Sequence, residues 1–189
     1  MRIAFKEWAI VCRALASGRQ IVILRKGGIV EEGGTFRPDH PEFLLFPTYS
    51  HQSPEQVVPE AWVPSERLEA EQPDVGQVVL RHCATVTDLF RVEDLTVLRA
   101  LRGEHIWSDS VVEERFHRWR DHSAFAIIVR VATLYKPVTL DLTEEYTGCK
   151  SWVRLEEEID VEGAQPVVSN EEYARRSAAI RTTLSGSAQ

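Results

Sequence analysis

Trp8, Val11, Cys12 and Leu15 fall at i, i+3, i+4 and i+7, one face of a helix. This spacing predicts an amphipathic helix over residues 4–17. Gly18 follows it, and glycine tolerates the left-handed conformation that closes a helix. The period then changes. QIVILR (20–25) is a short apolar run rich in β-branched residues and reads as a strand. KGGIVEEGG (26–34) carries two glycine pairs and reads as a turn or loose hairpin. FLLF (43–46) reads as a second strand, too short for an independent helix.

From Ser53 to Gly76 the pattern breaks. Pro54, Pro59, Pro64 and Pro73 interrupt regular structure, and five glutamates make the stretch acidic. This predicts a long surface excursion. VVLRHCATVTDLF (78–90) reads as a long strand, and Leu95, Leu98 and Leu101 mark a short helix stopped by Gly103. Ser110 and Glu113 have capping-box spacing ahead of Phe116 and Trp119. FAIIVRVATLY (125–135) carries the strongest strand signal, and Pro137 is expected to end it. SWVRL (151–155) reads as another strand. Ser169 and Glu172 form a second capping box, opening a helix to about Leu184. Helices and strands mix without a βαβ rhythm. The expectation is one α+β domain over 1–184, with a mixed or mainly antiparallel sheet, an N-terminal and a C-terminal helix, and a frayed tail at 185–189.

Composition narrows this little. The chain has 189 residues, 43% hydrophobic and 27% charged, ordinary for a globular domain. Three cysteines without CxxC spacing argue against a disulfide framework or a cysteine-rich zinc site, and suit a reducing cytoplasm. Lys6 and Glu7 interrupt the first apolar stretch, so no signal-peptide pattern is expected. No run approaches the roughly 20 apolar residues of a membrane span, so no membrane partner is expected. The net charge of −7 gives no global attraction for nucleic acid, though a local basic patch still binds phosphate.

Candidate chemistry gathers at a few places. FLLFPTYSHQ ends a strand in Thr48, Tyr49, His51 and Gln52, with His40 before it. These groups hydrogen-bond a phosphate oxygen or a carbonyl, and His51 is a candidate acid, base or ligand. A proline-bounded turn that satisfies its own backbone explains them equally. In RKGG, Arg25 and Lys26 precede flexible backbone N–H groups, a weak anion cradle. It lacks the GKS/GKT of a P-loop, and an exposed hairpin is the plainer reading. HIWSDSVVEERF offers His105, Trp107 as a stacking surface and Arg115; a core tryptophan is the alternative. YTGCKSW places Lys150 and Trp152 around Gly148, where a tight turn is favoured. HExxH, HxH and CxxC are absent, so no metal set is indicated.

FKEWAIVCRAL, GRQIVILRKGGIVE, FLLFPTYSHQ, HIWS and EYTGCKSWVRL, in that order, resemble the bacterial family called domain of unknown function 1802, over about residues 4–156. The resemblance supplies no reaction. It implies that Lys26, Glu32, Phe46 to Gln52, His105, Trp107, Arg115 and Lys150 to Trp152 belong to shared blocks. FAIIVRVATLYKPVTLDL is similar to a strand and turn of small PUA-like barrels of the EVE and ASCH type, which implies binding of modified bases or RNA. RPDHPEFLLF is similar to the carboxylate pair of PD-(D/E)XK nucleases through Asp39 and Glu42, but Leu44 stands where that pattern has lysine.

Two functions are expected from this. The first is a binding module in which FPTYSHQ and HIWS share one aromatic and polar pocket for a nucleotide or nucleic-acid element. The alternative is a metal-dependent phosphodiesterase, with a divalent cation held by Asp39 or Glu42 together with Glu32, His51 or Lys26. The sequence leaves the cofactor, and whether the protein is an enzyme, open.

Overall fold

The computed structural model describes residues 1–26, 29–32, 35–50, 52–63, 67, 74, 76–118, 122–146, 148 and 150–186, with only the backbone course over 29–32 and 35–38. The chain runs β1 (Ile3–Trp8), α1 (Ala9–Ala16), β2 (Val22–Arg25), β3 (Ile29–Glu32), β4 (Thr35–Pro38), β5 (Glu42–Thr48), β6 (Gln77–Val92), α2 (Leu95–Ala100), α3 (Asp109–His117), β7 (Ala124–Asp141), β8 (Trp152–Arg154), β9 (Gln165–Pro166) and α4 (Asn170–Ser185). It is an α+β domain with a mixed seven-stranded sheet of order β2-β7-β6-β5-β1-β8, β9 pairing with β7. β1 and β5 are parallel, while β1–β8, β2–β7, β5–β6, β6–β7 and β7–β9 are antiparallel. β3 and β4 form a separate hairpin, in line with the loose hairpin expected there.

The first element differs from the helix expected over 4–17. Residues 3–8 are a strand held between β5 and β8, and only 9–16 are helical. Val11, Cys12 and Leu15 keep their helical stripe and are buried, whereas Trp8 stands at the N-cap. Pairing on both sides outweighs the helical spacing of Trp8, because sheet context overrides a propensity of a few tenths of a kcal/mol, roughly, per residue. Gly18 does sit beyond α1 with φ +70°, the left-handed conformation that glycine adopts without strain.

Two further expectations are corrected. β7 does not end at Pro137 but runs on to Asp141. Its register with β6 shifts between Leu80 and His82, opposite this proline, and a bulge is where a strand tolerates a residue without N–H. The helix at 109–117 is not opened by a Ser110–Glu113 box. Ser108 is its N-cap, without a side-chain cap bond, and its hydroxyl pairs with that of Ser110. At the second box, by contrast, the Ser169 hydroxyl accepts from the Glu172 N–H at 3.1 Å.

β1 and β5 each divide their side chains between two cores. Phe5, Phe43 and Leu45 join the larger cluster with buried residues of all four helices. Ala4, Leu44 and Phe46 join a smaller one with Tyr146, Val153, Leu155 and Ile159. In a flat sheet, β2 and β1 would stand roughly 19 Å apart, four strand spacings. Yet the Arg25 guanidinium lies 4.5 Å from the Phe5 ring centre and bonds to the Ser151 hydroxyl next to β8. The sheet is therefore rolled, and its two ends meet at this side chain. α4 closes the outside: Arg181 clamps Asp88 of β6 through two bonds of 2.7 Å, and Arg176 bonds the carbonyls of Gly18 and Arg19.

The start of the proline-bearing stretch is bound to the body of the domain. Val57 bridges Trp107, and Val57 and Ala61 are buried. Residues 64–66, 68–73, 75 and 187–189 lie outside the described residues.

Two buried polar residues fix the connection into α3. The Gln20 amide accepts from the Ile106 N–H and donates to the Val22 carbonyl. His105 is 5% exposed, and its Nδ1 accepts the Trp107 N–H at 3.2 Å, so the neutral ring carries its proton on Nε2. Burial, aided by the Arg115 charge, pushes this imidazole down from 6.5 to about 4. Between those two values the unfolded chain binds a proton that the native chain refuses. Stability should therefore fall as pH drops from 6.5 towards 4, by about 3 kcal/mol in all. Urea unfolding followed across that range should show this slope, and His105→Asn, which retains an acceptor, should flatten it; an unchanged slope in the variant would assign the effect elsewhere. Independently, Ser169→Ala should cost about 1 kcal/mol in the same assay, read as a lower midpoint with an unchanged m-value.

Candidate functional site

Alternation along β1 puts Ile3, Phe5 and Glu7 on one face, so a carboxylate follows an aromatic into the larger core. Glu7 is 7% exposed, and its Oε1 accepts the Trp8 N–H at 2.9 Å. Two half-buried guanidiniums face it. Arg25 leaves the end of β2, lies over Phe5 and bonds Ser151. Arg115 leaves α3, stacks 3.9 Å from the Trp107 ring centre and donates to the Leu24 carbonyl at 2.6 Å. Burial pushes the pKa of both guanidiniums down, and the Glu7 charge opposes this in each. Asp39 also supports the Arg25 charge, and Arg25 further depresses Arg115. Arginine stays protonated at any physiological pH, so the recess holds two cations and one buried carboxylate.

Rings wall this recess. Trp8 meets Trp107 edge-on at 5.1 Å. Trp152 packs against Phe5, Phe43 and His40 at 4.8, 5.2 and 5.0 Å. Its buried Nε1–H finds no hydrogen-bond partner among the described residues. Trp8, Trp152, Thr48, Ser151 and His40 are all half-buried, so the recess reaches solvent.

The sequence-derived candidates divide here. Arg25 and Arg115 both feel the Glu7 charge, Trp107 lies under Arg115, and Trp152 packs on Phe5 beside Arg25. Thr48 joins them: it pairs in register with Trp8, and its hydroxyl donates to the Glu7 carbonyl at 3.1 Å. Lys26 turns to structure, donating to the carbonyls of Ser123 at 2.7 Å and Phe116 at 3.3 Å. Gln52 accepts the Ile10 N–H at 2.9 Å, satisfying a free donor at the start of α1. His105 and Trp107 are both sealed in the core, 5% and 2% exposed, so this segment presents neither ring to solvent. Tyr49 lines a different groove, between α1 and β6. Lys150 is exposed. His51 and the side chain of Glu32 lie outside the described residues.

The two carboxylates of the hydrolase reading act on different groups. Asp39 supports Arg25, whereas Glu42 pairs in register with Thr85 and its charge is felt by the Cys83 thiol. Among the described residues, no three His, Cys, Asp or Glu side chains gather as a metal site. The functional group that sequence reasoning missed is Glu7. Its signal was present, a carboxylate two residues after Phe5 on a strand face, but the helical reading of 4–17 concealed it.

No curated protein matches the sequence. Among solved structures, the ASCH protein of Zymomonas mobilis shares 12% identity and a TM-score of 0.46, covering 94% of this chain and 93% of that one. A mutant form of the same protein gives 12% identity and 0.47, over 94% of each chain. The model of the family described as Domain of unknown function (DUF1802) matches residues 4–179, and the chain belongs to that family.

Proposed function

We propose that the protein is a binding module for a nucleotide or nucleic-acid element, seated in the recess around Glu7. The observation that carries this reading is the convergence of Arg25 and Arg115 on one buried carboxylate between tryptophan rings. Burial depresses both guanidiniums in spite of the carboxylates near them, Glu7 and Asp39 among these, so a phosphate adds a compensation that the chain itself supplies only in part. Guanidinium forks match phosphate oxygens in geometry. The half-buried indole of Trp8 offers a stacking surface to any base, worth roughly 1–3 kcal/mol for each stacked base. The carboxylate of Glu7 suits an amino or imino N–H on a base edge.

Ligand binding places an anion beside Arg25 and Arg115 and relieves their mutual repulsion. It should therefore stabilise the fold in proportion to the ligand's affinity. Tryptophan fluorescence titrated with the four ribonucleoside monophosphates should show a saturable change that weakens as salt rises. Arg25→Gln should reduce the affinity by about tenfold or more, since a charged hydrogen bond is worth roughly 1.5–3 kcal/mol. Glu7→Gln, which keeps the shape, should alter the preference among bases more than the average affinity. No saturable signal at low salt, with any of the four, would defeat the proposal.

A further inference from the structure

A groove lies next to the cluster around Glu7. It has a volume of about 140 Å³ and runs between one stripe of α1, the end of β5 and the stretch of β6 around Arg81. Small residues Ala9 and Ala16 on the helix leave the space. The register shift between Leu80 and His82 brings Arg81 and His82 in succession to its wall. Arg13 faces them from α1, and Tyr49 lies at the end of β5. The lining contains no aspartate or glutamate, in a chain whose net charge is −7. It combines two guanidiniums with a phenol and an imidazole ring. Burial and the Arg81 charge hold the His82 pKa below its ordinary value, so at neutral pH this ring is a neutral stacking and hydrogen-bonding surface.

The groove and the recess adjoin at β1 and β5. Glu7 pairs in register with Pro47, which lines the groove, and Ala9, two residues beyond Glu7, lines it too. We infer that the groove is a subsite for the neighbouring nucleotide of the same strand. The ligand class is then single-stranded nucleic acid and not a free nucleotide. This rests on the function proposed for the recess and deepens it. The charge pattern favours a polyanion with aromatic groups: each subsite supplies guanidiniums for a phosphate and rings for a base.

The decisive comparison sets uridine monophosphate against oligouridylates of two, four and six nucleotides, using tryptophan fluorescence and anisotropy at several salt concentrations. The oligomers should bind roughly fivefold tighter or more, the worth of one further stacked base. Arg81→Glu should remove that gain and leave the monophosphate affinity unchanged. Arg81 is exposed, so this variant should fold, with an unaltered melting temperature as the control. Arg81→Lys should restore the gain. The dependence of affinity on salt should lose about 0.7 in log–log slope for each phosphate contact removed from a single strand. Oligomers that bind no tighter than the monophosphate, or a gain that survives Arg81→Glu, would overturn the second subsite and leave the recess standing. Absence of binding by every ligand, monophosphate included, would remove both.

Discussion

A guanidinium lying across the seam of a rolled sheet governs the rest of this structure. β2 and β1 stand four strands apart along the hydrogen-bonded path, and among the described residues no ladder joins β2 to β1 or β8. Arg25 fills the gap instead, with its plane over Phe5 and one nitrogen on Ser151. The geometry explains why the residue is arginine. A lysine ammonium would be more strongly hydrated and would lack the flat face that packs on the ring. Burying this charge costs several kcal/mol, roughly, unless an opposite charge is near. Glu7 and Asp39 supply it, and burial still depresses the guanidinium. The seam is thus held by a charge that the surroundings only partly compensate.

Arg115 adds a second cation to the same place. Its stacking on Trp107 and its bond to Leu24 fix α3 against the end of β2. A chain selected for stability alone would fill such a seam with apolar side chains, because replacing buried charges by well-packed hydrophobes is often neutral or stabilising. Two like charges kept together over a buried carboxylate, beside half-buried side chains, fit a role in which an external anion adds to the compensation that Glu7 and Asp39 give only in part. Sites of this kind are where charge and burial are set against each other for function.

The legibility of the molecule from its sequence follows the range of the forces involved. Elements set by local signals were readable: the strand at 22–25, the long strand at 77–92, and α4, whose Ser169–Glu172 cap is a contact between residues three apart. Elements set by distant pairing were not. β1 carries a helical stripe in its sequence and is a strand only because β5 and β8 flank it. β7 passes Pro137 because the proline falls among the extra residues, 134–137, at which its register with β6 shifts. The site shows the same division. Arg25, Arg115, Trp107 and Trp152 stood out by residue type, but their meeting point, Glu7, depended on the strand assignment. His105 stood out as well, yet its imidazole serves the core, a role that only three-dimensional burial reveals.

The acidic body gives these local cations a further consequence. A net charge of −7 repels a polyanion at long range, over the roughly 10 Å that moderate salt leaves unscreened. Encounter is therefore not steered by the whole molecule, as it is for basic nucleic-acid proteins. Any nucleic acid that stays must be held by short-range contacts, stacking on tryptophan and tyrosine and direct bonds from arginine. Indiscriminate backbone binding is suppressed, because a duplex presents phosphates without accessible base faces. A single strand offers both at once. The same charge balance that argues against a general nucleic-acid binder thus favours one that recognises a few exposed bases at the seam where the sheet closes.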